Sequence, residues 1–305
     1  MTEAEERRGA AEPDARAALA GDGFVRLPGL LSPDEIATLR GAADAALQSV
    51  SPEHRARYRS NGTLENLADH PDLAMIALSD TIMDALRSLG ASDPRWTSGY
   101  LISKPPSGAP LFWHQDWWGW GWDASYDAPA PQLFVMIYLV DTTPENGCLR
   151  VIPGSHRNTH TLHGLGTAHG QALAAYEDPD DPAYAEHPDQ RAVPVTVGDV
   201  VVGDARLLHG AHANRSGAER PLLTLWYAPD WDRTPPPLRA RFRQIYDRAD
   251  LDVEDRRAPE RTPDDWPDAA RARLAGRVPT RVPGATPQPW ERTPDPARLR
   301  ASTPR

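Results

Sequence analysis

Cysteine is nearly absent from this chain. The lone Cys148 excludes an internal disulfide and any multi-cysteine zinc or iron–sulfur site, and it suits a reducing compartment. Long apolar runs are absent too. No stretch approaches the roughly 18 residues of a membrane span, and MTEAEERRGAAEPDARAALA lacks the apolar core of a signal peptide. A cytoplasmic protein with no membrane contact is therefore expected. Positive charge is in deficit: 33 Lys and Arg face 43 Asp and Glu, for a net charge of -10. Nonspecific nucleic-acid binding needs a basic footprint, so nucleic acid is not an expected partner. No internal repeat is visible.

What is present suggests one folded unit with tails. At 305 residues a single large β-rich core with helical decoration is simpler than two domains. Residues 1–13 are small and charged and are expected to be disordered. Residues 14–248 carry the patterned sequence, and 249–305 form a Pro-, Arg- and Asp-rich extension with a short helix expected over 265–274. Ser32-Pro33-Asp34-Glu35 is a capping box with proline at the first helical position. Ile36, Leu39, Ala43 and Leu47 follow at helical spacing. A second helical region is expected from about Pro71 to Leu89, and a third over Leu238–Arg248. From Trp96 the pattern changes to short runs of β-formers separated by Gly, Pro and Asp: TSGYLISK, LFWHQDWW, QLFVMIYLV, CLRVI, AVPVTV, DVVVGDARLLHG and PLLTLWYA. Helices followed by strands predict an α+β fold with a barrel or sandwich. The stretch 156–193 lacks periodicity and reads as a long insertion loop, a candidate lid.

Within the strand region stands His114-Gln115-Asp116. Period-2 alternation puts His114 and Asp116 on one face of an extended segment. A distant histidine, His209, would complete the two-histidine, one-carboxylate set that holds non-haem Fe(II) with open coordination positions. Two ordinary sheet histidines and a surface carboxylate are the bland alternative. A carboxylate among Trp113, Trp117 and Trp118, however, is costly to bury without a partner. His212 is a weaker candidate for ligation and a candidate pocket residue. Arg220 follows His209 by 11 residues, and its planar fork suits bidentate pairing with a carboxylate. Five of the chain's ten tryptophans fall between Trp113 and Trp122. They read either as core packing or as an aromatic wall for an apolar or ring-containing ligand; Trp117 and Trp118 are the candidates for substrate contact.

Several segments together resemble the phytanoyl-CoA dioxygenase family of Fe(II)/2-oxoglutarate oxygenases. They are GDGFVRLPGLLSPDEI, WHQDWW, ENGCLRVIPGSH and HGAHANRSGAERPLLTLWY, and they span roughly residues 18–230. The resemblance implies a double-stranded β-helix (a jelly-roll, cupin-like core) with N-terminal helices packed on one sheet. It implies Fe(II) held by His114, Asp116 and His209, with 2-oxoglutarate and O2 as co-substrates. Arg220 matches the residue that pairs with the far carboxylate of 2-oxoglutarate. Trp120 matches a tryptophan lining the co-substrate site in ectoine-hydroxylase-like members. A serine often found two positions after the distal histidine is Ala211 here, so Tyr138 or Thr224 is a candidate replacement, and Lys104 is a candidate to reach the co-substrate. Halogenating relatives have Ala or Gly at the carboxylate position; this chain keeps Asp116. The implied activity is hydroxylation of an unactivated C–H in a small secondary metabolite, with release of succinate and CO2, by a monomer or homodimer. A nucleotide, sugar or acyl-CoA substrate is the alternative within the same chemistry. From other classes come a noncatalytic cupin-like binding protein and a zinc hydrolase using the same three ligands.

Overall fold

A computed structural model describes residues 15–165, 170–247 and 262–300. The segments 1–13, 248–261 and 301–305, on which parts of the expected tail boundaries fall, lie outside the described residues. No described helix is long and apolar enough to cross a membrane.

The described residues contain ten strands in two antiparallel sheets. A six-stranded sheet contains β1 (Phe24–Leu27), β2 (Glu65–Asn66), β3 (Arg95–Lys104), β5 (Leu133–Tyr138), β8 (Val200–Asp204) and β10 (Arg220–Ala228). Its strand order is β1-β8-β5-β10-β3-β2. A four-stranded sheet contains β4 (Leu111–His114), β6 (Leu149–Val151), β7 (Arg191–Val193) and β9 (His209–Ala211), in the order β4-β9-β6-β7. From β3 to β10 the chain passes repeatedly between the sheets, and this pairing of distant strands places His114 opposite His209.

Side-chain alternation divides the large sheet into two faces. Leu133, Val135 and Ile137 of β5 join Val200 and Val202 of β8 and Leu223, Leu225 and Tyr227 of β10 in one core cluster against the helices. Phe134, Met136, Tyr138, Val201 and Leu222 point the other way and meet Leu149, Val151 and Val193 of the small sheet. Burial on both faces explains why LFVMIY reads as an unbroken apolar run rather than an alternating one.

The helical layer begins with α1 (Ala15–Asp22) and α2 (Pro33–Gln48). The capping box at α2 forms: Ser32 Oγ accepts from the Glu35 N–H (3.3 Å), and Glu35 Oε2 accepts from the Ser32 N–H (2.8 Å). Ile36, Leu39, Ala43 and Leu47 are buried against the sheet. Each large apolar side chain so buried contributes on the order of 1.5–3 kcal/mol. A short α3 (Pro52–Arg57) follows. The helix expected over Pro71–Leu89 divides into α4 (Pro71–Ala74), a 3-10 turn over Met75–Leu78, and α5 (Asp80–Ser88). Ser79 makes the break: extended at ψ 150°, it accepts the Ile82 N–H on its hydroxyl and caps α5.

The stretch 156–193 is not structureless. It contains α6 (Gln171–Ala175), 3-10 turns at Thr161–Leu165 and Pro182–Tyr184, and β7. The expected Leu238–Arg248 helix is α7 (Pro236–Tyr246), and the tail helix is the shorter α8 (Asp268–Arg271). Residues 289–300 form an extended strap. Glu291 accepts the Trp120 N–H (3.0 Å) and donates to the Trp118 carbonyl (2.7 Å), while Arg300 donates to Arg157 O (2.9 Å) and accepts from Thr159 N (2.8 Å).

Candidate active site

His114 closes β4, and the cross-strand partner of this residue is His209, the first residue of β9. The strand ends there. Asp116 therefore sits in the bend after β4, not on the strand as alternation alone suggested. The bend is pinned by the Trp117 N–H bond to Ala205 O (2.9 Å) and by the Gln115 amide, which donates to Arg206 O. Arg206 is itself buried and paired with Asp204 (2.6 Å). It donates to Ser125 O and Asp127 O, so the loop carrying Asp116 is held at both ends.

The three side chains converge. His114 Nε2 lies 3.5 Å from Asp116 Oδ1, and His209 Nε2 lies 3.6 Å from Asp116 Oδ2. All three donor atoms fall within 4.8 Å of one another. Each imidazole is oriented by the backbone two residues earlier: His114 Nδ1 faces Phe112 O and His209 Nδ1 faces Leu207 O, both at 3.0 Å. A carbonyl only accepts, so each neutral ring carries its proton on Nδ1 and presents the Nε2 lone pair to the cluster, as a metal ligand must. Burial, and then the neighbouring His114, pull His209 down to about 4, which keeps this ring neutral. Behind His209 lies the Phe134 ring, 5.1 Å between centroids. Gly203 makes room for that ring, because a Cβ at 203 would fall 2.1 Å from it.

A second grouping, His160, His187 and Asp189, has comparable donor spacing. Its hydrogen bonding is the reverse. His160 Nδ1 accepts the Leu162 N–H and His187 Nδ1 accepts the Asp189 N–H, both at 3.2 Å. The neutral rings then hold their protons on Nε2, which suits a hydrogen-bonded cluster rather than ligation.

Around the triad, the inward-facing residues of the large sheet include Arg220, Leu222, Thr224 and Trp226 on β10. Arg220 is fully buried, its Cζ 5.4 Å from the centre of the Tyr138 ring. Its Nε and Nη1 have no hydrogen-bond partner. Directly across the ladder stands Lys104, the only lysine in the sequence, also buried. Its ammonium does not point to an open co-substrate position: it donates to Ser60 O (2.5 Å) and to Ala109 O. Burial, then the charges of Arg220 and Arg150, push its pKa well below the usual lysine range. A buried guanidinium with an unpaired edge is costly without an anion between the sheets. Thr224 lies four residues along β10 from Arg220 and two before Trp226, opposite Met136, and is buried.

Trp226 is the residue that sequence reasoning passed over. Its indole N–H donates to Asp116 Oδ2 at 2.9 Å. The signal was available: the alternation that placed Arg220 and Thr224 inward also reaches Trp226.

The tryptophan cluster divides. Trp118 lines a small cleft, open to solvent, that borders the triad at His114. Trp117 and Trp120 do not line it. They are buried with Phe242, Leu238 and Trp231 against α7, so the contacts expected of them with substrate and co-substrate are core packing instead. His212 is also placed elsewhere. Along β9 the side chains alternate, and His212 feels Arg150 and Glu186 on the outer side of the small sheet. The cleft's remaining wall comes from Leu162, His163 and Leu165 of the 156–193 stretch and from Arg292 and Thr293 of the strap.

The sequence profile of the phytanoyl-CoA dioxygenase family matches residues 19–222. The chain belongs to this family. An ectoine dioxygenase from Sphingopyxis alaskensis is 30% identical over 216 residues, covering 65% of this chain and 69% of the relative. The crystal structure of SnoK, a non-heme alpha ketoglutarate dependent carbocyclase from nogalamycin biosynthesis, superposes with a TM-score of 0.54 at 25% identity. That superposition covers 74% of this chain and 85% of SnoK. HygX from Streptomyces hygroscopicus, solved with nickel and 2-oxoglutarate bound, shares the fold with a TM-score of 0.54 at 20% identity, over 72% of this chain and 88% of HygX. The chain is a 2-oxoglutarate-dependent dioxygenase of this family.

Proposed function

We propose that this enzyme hydroxylates an unactivated C–H bond of a small secondary metabolite, with His114, Asp116 and His209 holding Fe(II) and Arg220 anchoring 2-oxoglutarate. The observation that carries the reading is the pairing of two features in one interior. One is a triad whose imidazoles present Nε2; the other is a buried guanidinium with two unpartnered nitrogens. A zinc hydrolase would need the first and not the second. A binding protein that kept its ligands by descent would have no use for their combination.

The strand orders support a double-stranded β-helix, with β8-β5-β10-β3 as one half and β4-β9-β6-β7 as the other. Bound in this interior, Fe(II) with 2-oxoglutarate and O2 supplies the oxidation that turns C–H into C–OH, yielding succinate and CO2. The chain's own residues do the rest. Arg220 offers a planar fork to a carboxylate, and the Tyr138 ring packs against that guanidinium. Trp226 holds one oxygen of Asp116 and so fixes how the carboxylate faces the histidines. Aromatic and aliphatic side chains from the cleft and the lid exclude water from the reacting carbon. No general base is required at the carbon. Bacterial natural-product tailoring is the setting suggested by SnoK's place in nogalamycin biosynthesis, while other relatives are dioxygenases of ectoine and of hypophosphite.

Anaerobic titration of the metal-free protein with Fe(II) and 2-oxoglutarate tests the proposal. A visible charge-transfer band saturating at one equivalent is expected. Arg220→Ala should need at least about tenfold more 2-oxoglutarate to reach the same band, because a charged hydrogen-bond partner is lost. Iron binding without a band, or an unchanged requirement in the variant, would favour the hydrolytic or binding-protein reading.

A further inference from the structure

We propose that the substrate is a neutral, ring-bearing molecule, and that Tyr100 and Trp226 form the wall it packs against beside Asp116. The inference rests on the dioxygenase reading and adds the chemical class of substrate.

The wall belongs to the interior face of the large sheet. Directly opposed residues of antiparallel strands share a face. On β10 and β3 the opposed pairs are Arg220 with Lys104, Leu222 with Ile102, Thr224 with Tyr100, and Trp226 with Ser98. Ile102 and Trp226 pack against the cluster between the sheets, so this is the face turned inward. Burial is graded along it. Lys104, Arg220, Leu222 and Thr224 are buried, as are Phe134, Met136 and Tyr138 on β5 and Val201 on β8. Ser98, Tyr100, Ile102 and Trp226 are only partly buried. Solvent therefore reaches the interior along β3 and the far end of β10, and a substrate has the same route open to it.

That open end meets the triad. Trp226 Nε1 donates to Asp116 Oδ2 (2.9 Å), and the Tyr100 ring meets the Trp226 ring edge-on at 5.8 Å and 78°. The two rings stand on hydrogen-bonded neighbouring strands, so the corner between them is preformed rather than assembled on binding. A molecule lying in this corner has a C–H within the neighbourhood of the metal ligands, because one wall is itself bonded to Asp116.

Charge supplies the ligand class. The permanent cation of this face, Arg220, stands at the buried end of β10. Ser98, Tyr100, Ile102 and Trp226, at the open end, carry no formal charge at neutral pH, and the nearby carboxylate of Asp116 is committed to the triad. An acid placed here would give up water without gaining a counter-ion. A flat neutral ring gains apolar burial and contact with two aromatic rings. The face thus sorts its two occupants: the dicarboxylate goes to the guanidinium end and the neutral ring to the aromatic end.

The test uses the full chain with Fe(II) and 2-oxoglutarate. A flavanone and a steroid serve as neutral ring probes; 2-naphthoate, ectoine and L-proline serve as charged ones. Binding is read anaerobically by calorimetry, and turnover by O2-dependent succinate release. Binding and stimulation by a neutral ring probe, and by none of the charged ones, are expected. For that probe, Tyr100→Ala should raise Kd and KM at least about tenfold, with kcat changed less. Tyr100→Phe keeps the ring and should stay within about threefold of the wild type. The charge-transfer band should persist in both variants, which separates loss of the wall from loss of the fold. An unchanged Kd in Tyr100→Ala, binding of charged probes alone, or binding of neither neutral ring probe overturns the proposal. Absence of the band in the wild-type protein would instead overturn the dioxygenase reading beneath it.

Discussion

Asp116 has His114 beside one oxygen and His209 and the Trp226 indole beside the other. A carboxylate ligand can rotate, and the indole N–H removes that freedom. Trp226→Phe keeps the ring and deletes the donor, so Fe(II) affinity should fall about tenfold with the fold intact, read by metal titration. Unchanged affinity would mean that the bond does not position the ligand. At this scale the convergence of His114, Asp116 and His209 was legible in the sequence, because ligand chemistry fixes residue types and spacing, and Arg220 is buried in the same interior. Lys104 and His212 were not legible. Their fates depend on which face of a strand they take and on carbonyls supplied by Ser60 and Ala109, residues remote from or irregularly placed beside them. Trp117 and Trp120 differ from Trp118 only in what packs over them, and α7 is more than a hundred residues away in sequence.

The strands were legible as elements because most of them are buried on both faces and read as β-former runs between turns. Their ends were less so. LFWHQDWW stops pairing at His114, since Asp116 is diverted to the metal-ligand cluster and Trp117 hydrogen-bonds to Ala205. The helical region from Pro71 was overextended for a local reason: Ser79 offers its hydroxyl to the backbone and starts a new helix. Removing that cap should cost about 1 kcal/mol. Ser79→Ala is therefore expected to lower the thermal midpoint by roughly 2–4 °C while leaving 2-oxoglutarate binding unchanged. Calorimetry checks the first part and the charge-transfer titration the second. An unchanged midpoint would assign the break to packing rather than to the cap.

Over the whole molecule, the lid and strap were the least legible parts, since neither has a period and both derive their order from contacts across the chain. The lid also carries a pH dependence. Burial, and then the charge of His160, lower His163 to about 4. An unfolded histidine titrates near 6.5. The folded state therefore excludes a proton that the unfolded chain accepts. The stabilisation is complete above about pH 6.5 and is lost as pH falls toward 4. Thermal midpoints measured across that window should decline less steeply in His163→Gln than in the wild type; parallel curves would remove His163 from the account. Finally, the two groups of site residues belong to different sheets. β4 and β9 supply the histidines, while β10 and β5 supply Arg220 and Tyr138. In the proposed binding mode the co-substrate, a short dicarboxylate, reaches from one to the other. The separation of the sheets is then a calliper set by Phe134, Met136, Val151 and Val201, which pack together in the core between them. Because a close-packed interior resists compression, their volumes gauge which keto acids span the jaws.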